Sequence, residues 1–499
     1  MRRWPLAALL IAASACSSSS SNGAQPTPTT ARPSVPTVPA LLPLHAITGA
    51  SPGVFDSHDR QVRLRGVDVN SLGDYYQDDP ALPTVVPVTN RDWASMAAHG
   101  FDVVRLLVSW SKLEPKRGVF DDAYLARVSS TVQAAARYGI YSVIDMHQDA
   151  WGKYIASPKN VHCAPGADPA IGWDGAPQWA TLTNGADTCT KGSRESAPAA
   201  ETAWDSFYAD RDGIMTQLVA TWAHVAARFA GNAAVAGFDL LNEPNPGHDG
   251  TPALRGLGRY YGRSIAAIRA AEAGAQGFHH IAFFEDTVDG AFVAPHFTTD
   301  TNIVFAPHNY GESIGNIPIE AEFDYYAAGA RSYKTAMWIG EYGWFSDPSA
   351  SASKVARFAT KADSLLDVGE AWWQWRQACG DPHSIGKPGG QPASVVIQFQ
   401  NNACPGDHNQ GVNSAWNCTW RPYPMASPGH LTALKTGCAN DLEVQGTTTK
   451  PGTIDIWFPG THAPHVAGTT HSTVRKVPGG YRVTGTVSGT YDVRVATND

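Results

Sequence analysis

Charge is scarce in this chain. Only 16% of its 499 residues are Asp, Glu, Lys or Arg, and the net charge of −8 is spread without a basic stripe. Nucleic acid is therefore excluded as the expected partner, because it demands clustered cations. Long apolar runs are lacking as well: Leu6–Ala15 is too short to cross a bilayer, and no later stretch is long and apolar enough. Cysteine is sparse, seven in all, and the spacings match no zinc motif, so no metal and no other cofactor is expected. A Gly-rich phosphate turn after an early strand is also missing, which argues against an open doubly wound sheet. What the chain does have is 43% hydrophobic residues, ample for a large core, and 16 Trp. Most of these indoles fill that core, but a flat indole face also suits stacking on a sugar ring.

The N-terminus reads as a targeting segment. Arg2 and Arg3 precede the apolar stretch, and Ala13-Ser14-Ala15-Cys16 resembles a bacterial lipobox, with Ala13 where that motif prefers Leu. The expectation is a lipoprotein signal peptide over 1–15, lipidation at Cys16, and a disordered Ser/Thr/Pro-rich tether over 16–43. The plainer alternative is an ordinary cleavage site with a chance Cys. Six cysteines remain, at 163, 189, 379, 404, 418 and 438, and an even set in an exported protein reads as three disulfides. Cys163 and Cys189 share one long insertion and are expected to pair. The connectivity of Cys379, Cys404, Cys418 and Cys438 stays open.

From 44 to 436 apolar runs alternate with amphipathic helical patterns. The runs are Arg63–Asn70, Phe101–Trp110, Tyr141–Asp149, Val235–Pro244, His280–Asp286, Asn302–Tyr310, Ala336–Trp344 and Ala371–Arg376. Several are apolar almost throughout, as strands buried on both faces must be. Eight such alternations predict a (β/α)8 TIM barrel. Over 437–499 the texture changes to short β-rich runs separated by Gly and Pro, which predicts a small antiparallel β-sandwich.

Polar residues at the C-terminal ends of barrel strands face the mouth where such enzymes do their chemistry. Strand two offers Arg105, strand three His147 and Asp149, strand four Asn242 and Glu243, strand six His308 and Tyr310, strand seven Glu341, and strand eight Trp375. Carboxylates on strands four and seven face each other across the mouth. A retaining glycosidase needs that pair, one to protonate the leaving oxygen and one to attack the anomeric carbon. Unequal surroundings are expected to set the roles: Glu243 protonated, Glu341 charged and held so by Tyr310. Asn242 is placed to hold a sugar hydroxyl, and Trp375 to stack on the sugar, with Trp373 facing the same way. His147 alone would read as a core histidine, Arg105 as an ion-pair partner of barrel carboxylates, and Asp145 as structural. Glu285 and Asp286 are a fallback acid site.

Asn242-Glu243-Pro244 with Glu341 resembles glycoside hydrolase family 5, and Arg105, His147, His308, Tyr310 and Trp375 follow that family's order. Within it, Asp145-Met146-His147-Gln148-Asp149 and Trp420-Arg421-Pro422-Tyr423-Pro424 before the last β-rich segment resemble endoglycoceramidases. The resemblance implies a retaining β-glycosidase, with Glu341 as nucleophile and Glu243 as acid and base, cleaving a glycolipid between sugar and lipid. It departs after strand one, where endoglycoceramidases tend to carry a sugar-contacting Lys and this chain reads Asp68-Val69-Asn70-Ser71.

The insertion Ala150–Ala200, with Trp151, Ile155, Ile171, Trp173 and Trp179, is either an apolar wall for the lipid or a disulfide-stapled cover with its aromatics packed inward. The competing functions are a family 5 endoglucanase or mannanase and, from another class, a non-catalytic carbohydrate-binding surface lipoprotein. Cys16→Ser is expected to leave the protein released or unprocessed; unchanged membrane association on fractionation would show that anchoring comes from elsewhere.

Overall fold

The second barrel strand shows in miniature how the fold is layered. Val103–Ser109 is buried along its whole length. Pleating puts alternate residues on one face, and Val103, Arg105 and Leu107 on it differ in chemistry with height. Val103 lies in an apolar cluster at one end of the barrel. Arg105 lies among carboxylates in the middle. Leu107 packs with Trp373 and Tyr310 towards the mouth.

The computed structural model describes residues 40–77, 79–344, 348–383, 412, 414–438 and 441–497. Barrel strands one to eight are Arg65–Val69, Val103–Ser109, Tyr141–His147, Val235–Asp239, Ile281–Phe284, Ile303–Phe305 continued by His308–Asn309, Met337–Tyr342, and Val368–Trp372. All pair in parallel, and strand eight pairs with strand one, Ala371 opposite Gly66, to close the ring. Helices including Asp122–Ala136, Ile214–Phe229, Gly250–Gly274 and Ile319–Tyr333 follow the strands. Asp121 caps the first of these by accepting from the Tyr124 N–H, satisfying a donor the helix itself cannot. Each of the eight expected runs contains a barrel strand or overlaps one. Strand eight, however, begins at Val368 and ends at Trp372, so Trp373–Trp375 lie in the connection beyond it.

The second sheet is antiparallel and takes in more than the last 60 residues. Its two long strands, Asp441–Pro459 and Gly480–Ala496, pair along most of their length, with a register shift between Thr448 and Gly452. Val444, Ile454, Ile456, Val483, Val493 and Val495 from both halves share one core. Tyr423–Pro428 and His430–Thr436 belong to this sheet, and so does the N-terminal segment, through Val62 opposite Ala426. The reason is that the hairpin Leu44–Ile47 with Gly53–Asp56 stoppers the N-terminal end of the barrel. Leu44 and Ala46 share the apolar cluster of Val103, Val143 and Phe283, and the hairpin's outer edge is then satisfied by the antiparallel sheet.

Glycine is required where sheet and barrel meet. At Gly100 (φ +76°) a Cβ would lie 2.2 Å from Trp457 Nε1, and at Gly479 (φ +77°) 1.7 Å from the Ala98 carbonyl oxygen. Disulfides join Cys163 to Cys189 and Cys418 to Cys438. Cys379 is also disulfide-bonded, while Cys16 and Cys404 lie outside the described residues. Among the described residues no helix is long and apolar enough to cross a membrane.

A buried ion cluster ties the segment entering the antiparallel sheet to the barrel. Arg421 donates to Asp363 through Nε (2.6 Å) and Nη2 (2.9 Å) and to Glu370 through Nη1 (2.9 Å). Asp363 also pairs with Arg63 and Arg65. Arg421→Ala leaves these carboxylates short of a cation and is expected to cost about 3–5 kcal/mol of unfolding free energy. Urea melts check this, and a loss below about 1 kcal/mol would show that the cluster does not hold the fold together.

Candidate active site

The site is built on one guanidinium. Arg105 is fully buried and meets Asp239 through Nε (2.8 Å), Asp68 and Glu341 through Nη1 (3.4 and 2.6 Å), and Asp145 and Glu285 through Nη2 (3.0 and 2.9 Å). Nη2 also donates to Asn242 Oδ1 at 2.8 Å. Burial works against the charge of Arg105, but these carboxylates outweigh it and hold the guanidinium well above its ordinary range. They cannot all be ionised beside a single cation. Burial pushes Asp239 up to about 6 and Glu285 up to about 8, and Asp68 is raised by burial and then by the charge of Glu341.

Glu341, on strand seven, is fixed at both oxygens. Oε1 takes the short bond from Arg105, and Oε2 accepts from the Tyr310 hydroxyl at 3.0 Å. Glu243 stands just past strand four. A side-chain atom of each of Glu243, His308 and Glu341 lies within 4.8 Å of the other two. That closeness fits the roughly 5–5.5 Å separation of the carboxyl groups in a retaining pair.

Glu243 adopts a left-handed backbone (φ +38°), which costs a non-glycine residue roughly 1–3 kcal/mol. Two bonds hold it there: its N–H donates to Glu285 Oε2 at 2.7 Å, and its carbonyl accepts from Gln148 Nε2 at 2.9 Å. Asn242 bridges Arg105 and the Gln148 carbonyl and is buried, so its amide secures this turn.

The surroundings of Glu243 pull its carboxyl both ways. Burial raises its carboxyl, but the hydrogen bond from His308 Nδ1 (2.8 Å to Oε1), the charge of that imidazole and the charge of Arg194 (Nη2 3.3 Å from Oε2) outweigh burial and hold it below the usual range. His308 is itself raised well above an ordinary histidine, because Glu285, Glu341 and Glu243 overcome its burial.

Arg194 was not among the expected residues. It comes from the insertion, in the short helical turn Arg194–Ser196. Besides Glu243 it meets Asp149 Oδ1 (2.5 Å) and Glu195 Oε1 (2.9 Å), and it lies over the Trp173 ring at 4.4 Å. Asp149 in turn meets His383 Nε2 (3.0 Å) and His147 Nε2 (3.6 Å), while His147 Nδ1 meets Asp145 at 2.8 Å. His147 and Asp149 are therefore linked to the two glutamates through Arg105 and Arg194. No spacing in the sequence marks Arg194 or His383. Both lie in long connections whose path the periodicity of strands and helices does not determine.

Trp375 is a correction. It is 1% exposed, packs in the core with Trp372, and its indole N–H donates to Asp92 at 3.2 Å. Alternation along strand eight cannot place it, because the strand has already ended. Trp373 faces the site instead, stacked on His147 with ring centroids 5.6 Å apart. The insertion splits between its two expected roles. Trp151 and Ile155 are buried, and Trp179 packs on Trp110. Ile171, 47% exposed, and Trp173 line an open cleft of about 370 Å³ with Pro169, Ala170 and Arg194.

Comparison with known proteins places this geometry. The family model for cellulase (glycosyl hydrolase family 5) matches residues 56–378. The chain is 29% identical over 208 residues to endoglycoceramidase I of Rhodococcus hoagii, a match covering 41% of this chain and 38% of that protein. Among solved structures it is similar to an endogalactoceramidase, with 41% identity, a TM-score of 0.83 and coverage of 92% of this chain and 100% of that one. Endo-glycoceramidase II from Rhodococcus sp., 22% identical with a TM-score of 0.68, covering 89% of this chain and 99% of that one, shares the fold. A barrel with Glu243 and Glu341 across its mouth, matched by the family model over most of its length, makes this chain a member of glycoside hydrolase family 5.

Proposed function

We propose that this hydrolase removes the sugar from a β-linked glycolipid with retention of configuration. In the first step a Glu341 oxygen attacks the anomeric carbon, the bond to the lipid oxygen breaks, and Glu243 gives that oxygen its proton. In the second step Glu243 takes a proton from water, the water oxygen attacks the same carbon, and the bond to Glu341 breaks. Arg105 and Tyr310 aim Glu341, and His308 aims Glu243 through Oε1. The two carboxylates supply the chemistry without a cofactor.

One observation carries the choice of leaving group. The acid faces the leaving oxygen, so whatever lies beyond Glu243 receives the aglycone. We assign it to the cleft of Ile171, Trp173, Pro169 and Ala170, because Arg194 both lines that cleft and meets Glu243. The apolar part of that wall gains by covering itself with hydrocarbon, at roughly 25 cal/mol per Å², while Asp168, Thr190 and Arg194 give the cleft a polar rim. The 41% identity to an endogalactoceramidase supports the same reading. Export as a lipid-anchored protein through Cys16 fits it, since the anchor would hold the enzyme where lipid substrates lie.

Glu341→Gln is expected to remove almost all turnover. Glu243→Gln is expected to spare substrates whose leaving group needs no proton, such as dinitrophenyl glycosides, relative to glycolipids. NMR of the first-formed sugar checks retention, and an inverted anomer would overturn the assignment. Incubation with purified glycosphingolipids and with soluble β-glucans and mannans checks the substrate. Efficient cleavage of the polysaccharides alone would replace this reading with an endoglucanase or mannanase.

A further inference from the structure

Both oxygens of Glu243 are already engaged. Oε1 faces His308 Nδ1 at 2.8 Å and Oε2 faces Arg194 Nη2 at 3.3 Å. A leaving-group oxygen must come within hydrogen-bond distance of one of them to take a proton, where the cation already on that oxygen competes with it.

The two partners differ in how firmly they are held. His308 is buried on strand six, and its ring nitrogens also meet Glu285 (3.4 Å) and Glu341 (3.5 Å), both buried. Arg194 stands on a surface insertion, its side chain is 26% exposed, and its remaining contacts are Asp149, Glu195, His383 and the face of Trp173. Arg194 is therefore the partner that yields. It also borders the cleft assigned to the aglycone, and its guanidinium covers the Trp173 face that a hydrocarbon would seek.

We infer that Arg194 is a positioning residue for the acid, a latch that occupies Glu243 Oε2 until the leaving-group oxygen and its lipid take that place. This rests on Glu243 being the acid. In the free enzyme the latch keeps Glu243 ionised, and a proton on Oε2 is disfavoured. When aglycone lies along Ile171 and Trp173, Nη2, which Glu243 and Asp149 share, turns from Oε2 while Glu195 retains the guanidinium through Nε. Glu243 then loses one of the cations that stabilise its charge, its proton affinity rises against the hold of His308, and Oε2 takes up the proton it will deliver. Acid readiness is thereby coupled to an occupied leaving-group site.

The other groups facing this pair stay in place. Around Glu243 these are Asp149, Glu285, Asp286, His308, Tyr310 and Glu341. Tyr326 faces it from the helix Ile319–Tyr333. Arg194 alone among them arrives on the insertion.

The sign follows. The alkaline limb of kcat/KM reports the acid in free enzyme, and that of kcat reports it in the complex. With the latch present, the first limb lies at lower pH than the second. Arg194→Gln removes the charge, so Glu243 is expected to titrate higher by about one pH unit or more, as removal of a close opposite charge does. The kcat/KM limb then rises to meet that of kcat, and Arg194→Lys keeps most of the separation. Glu243 is followed directly as the 13C-carboxyl resonance missing from Glu243→Gln, which needs no turnover. Rates are read on octyl and 2,4-dinitrophenyl β-glucosides and β-galactosides. An unmoved Glu243 titration in Arg194→Gln would overturn the latch, as would an equal loss on octyl and dinitrophenyl glycosides without a shift of either limb. Failure of the underlying reading looks different: Glu243→Gln would then cleave octyl glycosides at the wild-type rate.

Discussion

Five carboxylates within 3.4 Å of the Arg105 guanidinium form a layer that the barrel could not otherwise bury. Taking an ion out of water costs several kcal/mol even after relaxation, and only a well-bonded opposite charge repays it. Arg105 gives strands one, three, four and seven and the residue after strand five a common partner at one height, so it fixes the register of the ring and the position of Glu341 together. The apolar plug of Leu44 and Ala46 lies below this layer and the Leu107–Trp373–Tyr310 cluster above it. Apolar side chains on both sides lower the local polarity, which strengthens the central ion pairs.

The two glutamates depend on that layer unequally. Glu341 is bonded directly to Arg105 and moves only if the layer moves. Glu243 touches it through the backbone, by way of Glu285 and Asn242, while its carboxyl is governed by His308 and by a cation brought in from the insertion. A nucleophile gains from a fixed position, because attack needs a near-attack geometry. A residue that must act as acid in one step and base in the next gains from surroundings that can change its proton affinity. The barrel supplies the first, and a disulfide-stapled loop outside the barrel supplies the second.

This division also decides what could be read from the residues in order. Strands two, three and seven are legible because each is an apolar run ending in polar residues, and period-two alternation carries Arg105, Asp145 and Glu341 to one side. Rules of that kind stop where the strand stops. Trp375 was expected in the site by extending alternation past Trp372, where the chain has turned and the indole N–H reaches Asp92 instead. The Leu44 hairpin was included in the span of the barrel rhythm, yet its sheet is revealed through Arg60–Val62, which pairs with Tyr423–Pro428 more than 360 residues later. Such a contact leaves no local trace.

Arg194 is the sharpest case, since its neighbours are all ordinary at sequence level: Ser193, Glu195 and a loop rich in Gly and Pro. Its place is set by Cys163–Cys189, by the two-residue ladder of Asp168–Pro169 with Cys189–Thr190, and by stacking on Trp173. None of these constrains which residue meets Glu243 until the loop is folded. Barrel enzymes vary their substrates through such connections while the strand ends keep the reaction constant. Residues that recognise the leaving group should therefore be those hardest to read from strand periodicity, and here both sides of the aglycone cleft, Ile171 with Trp173 and Arg194 opposite the acid, come from the one insertion.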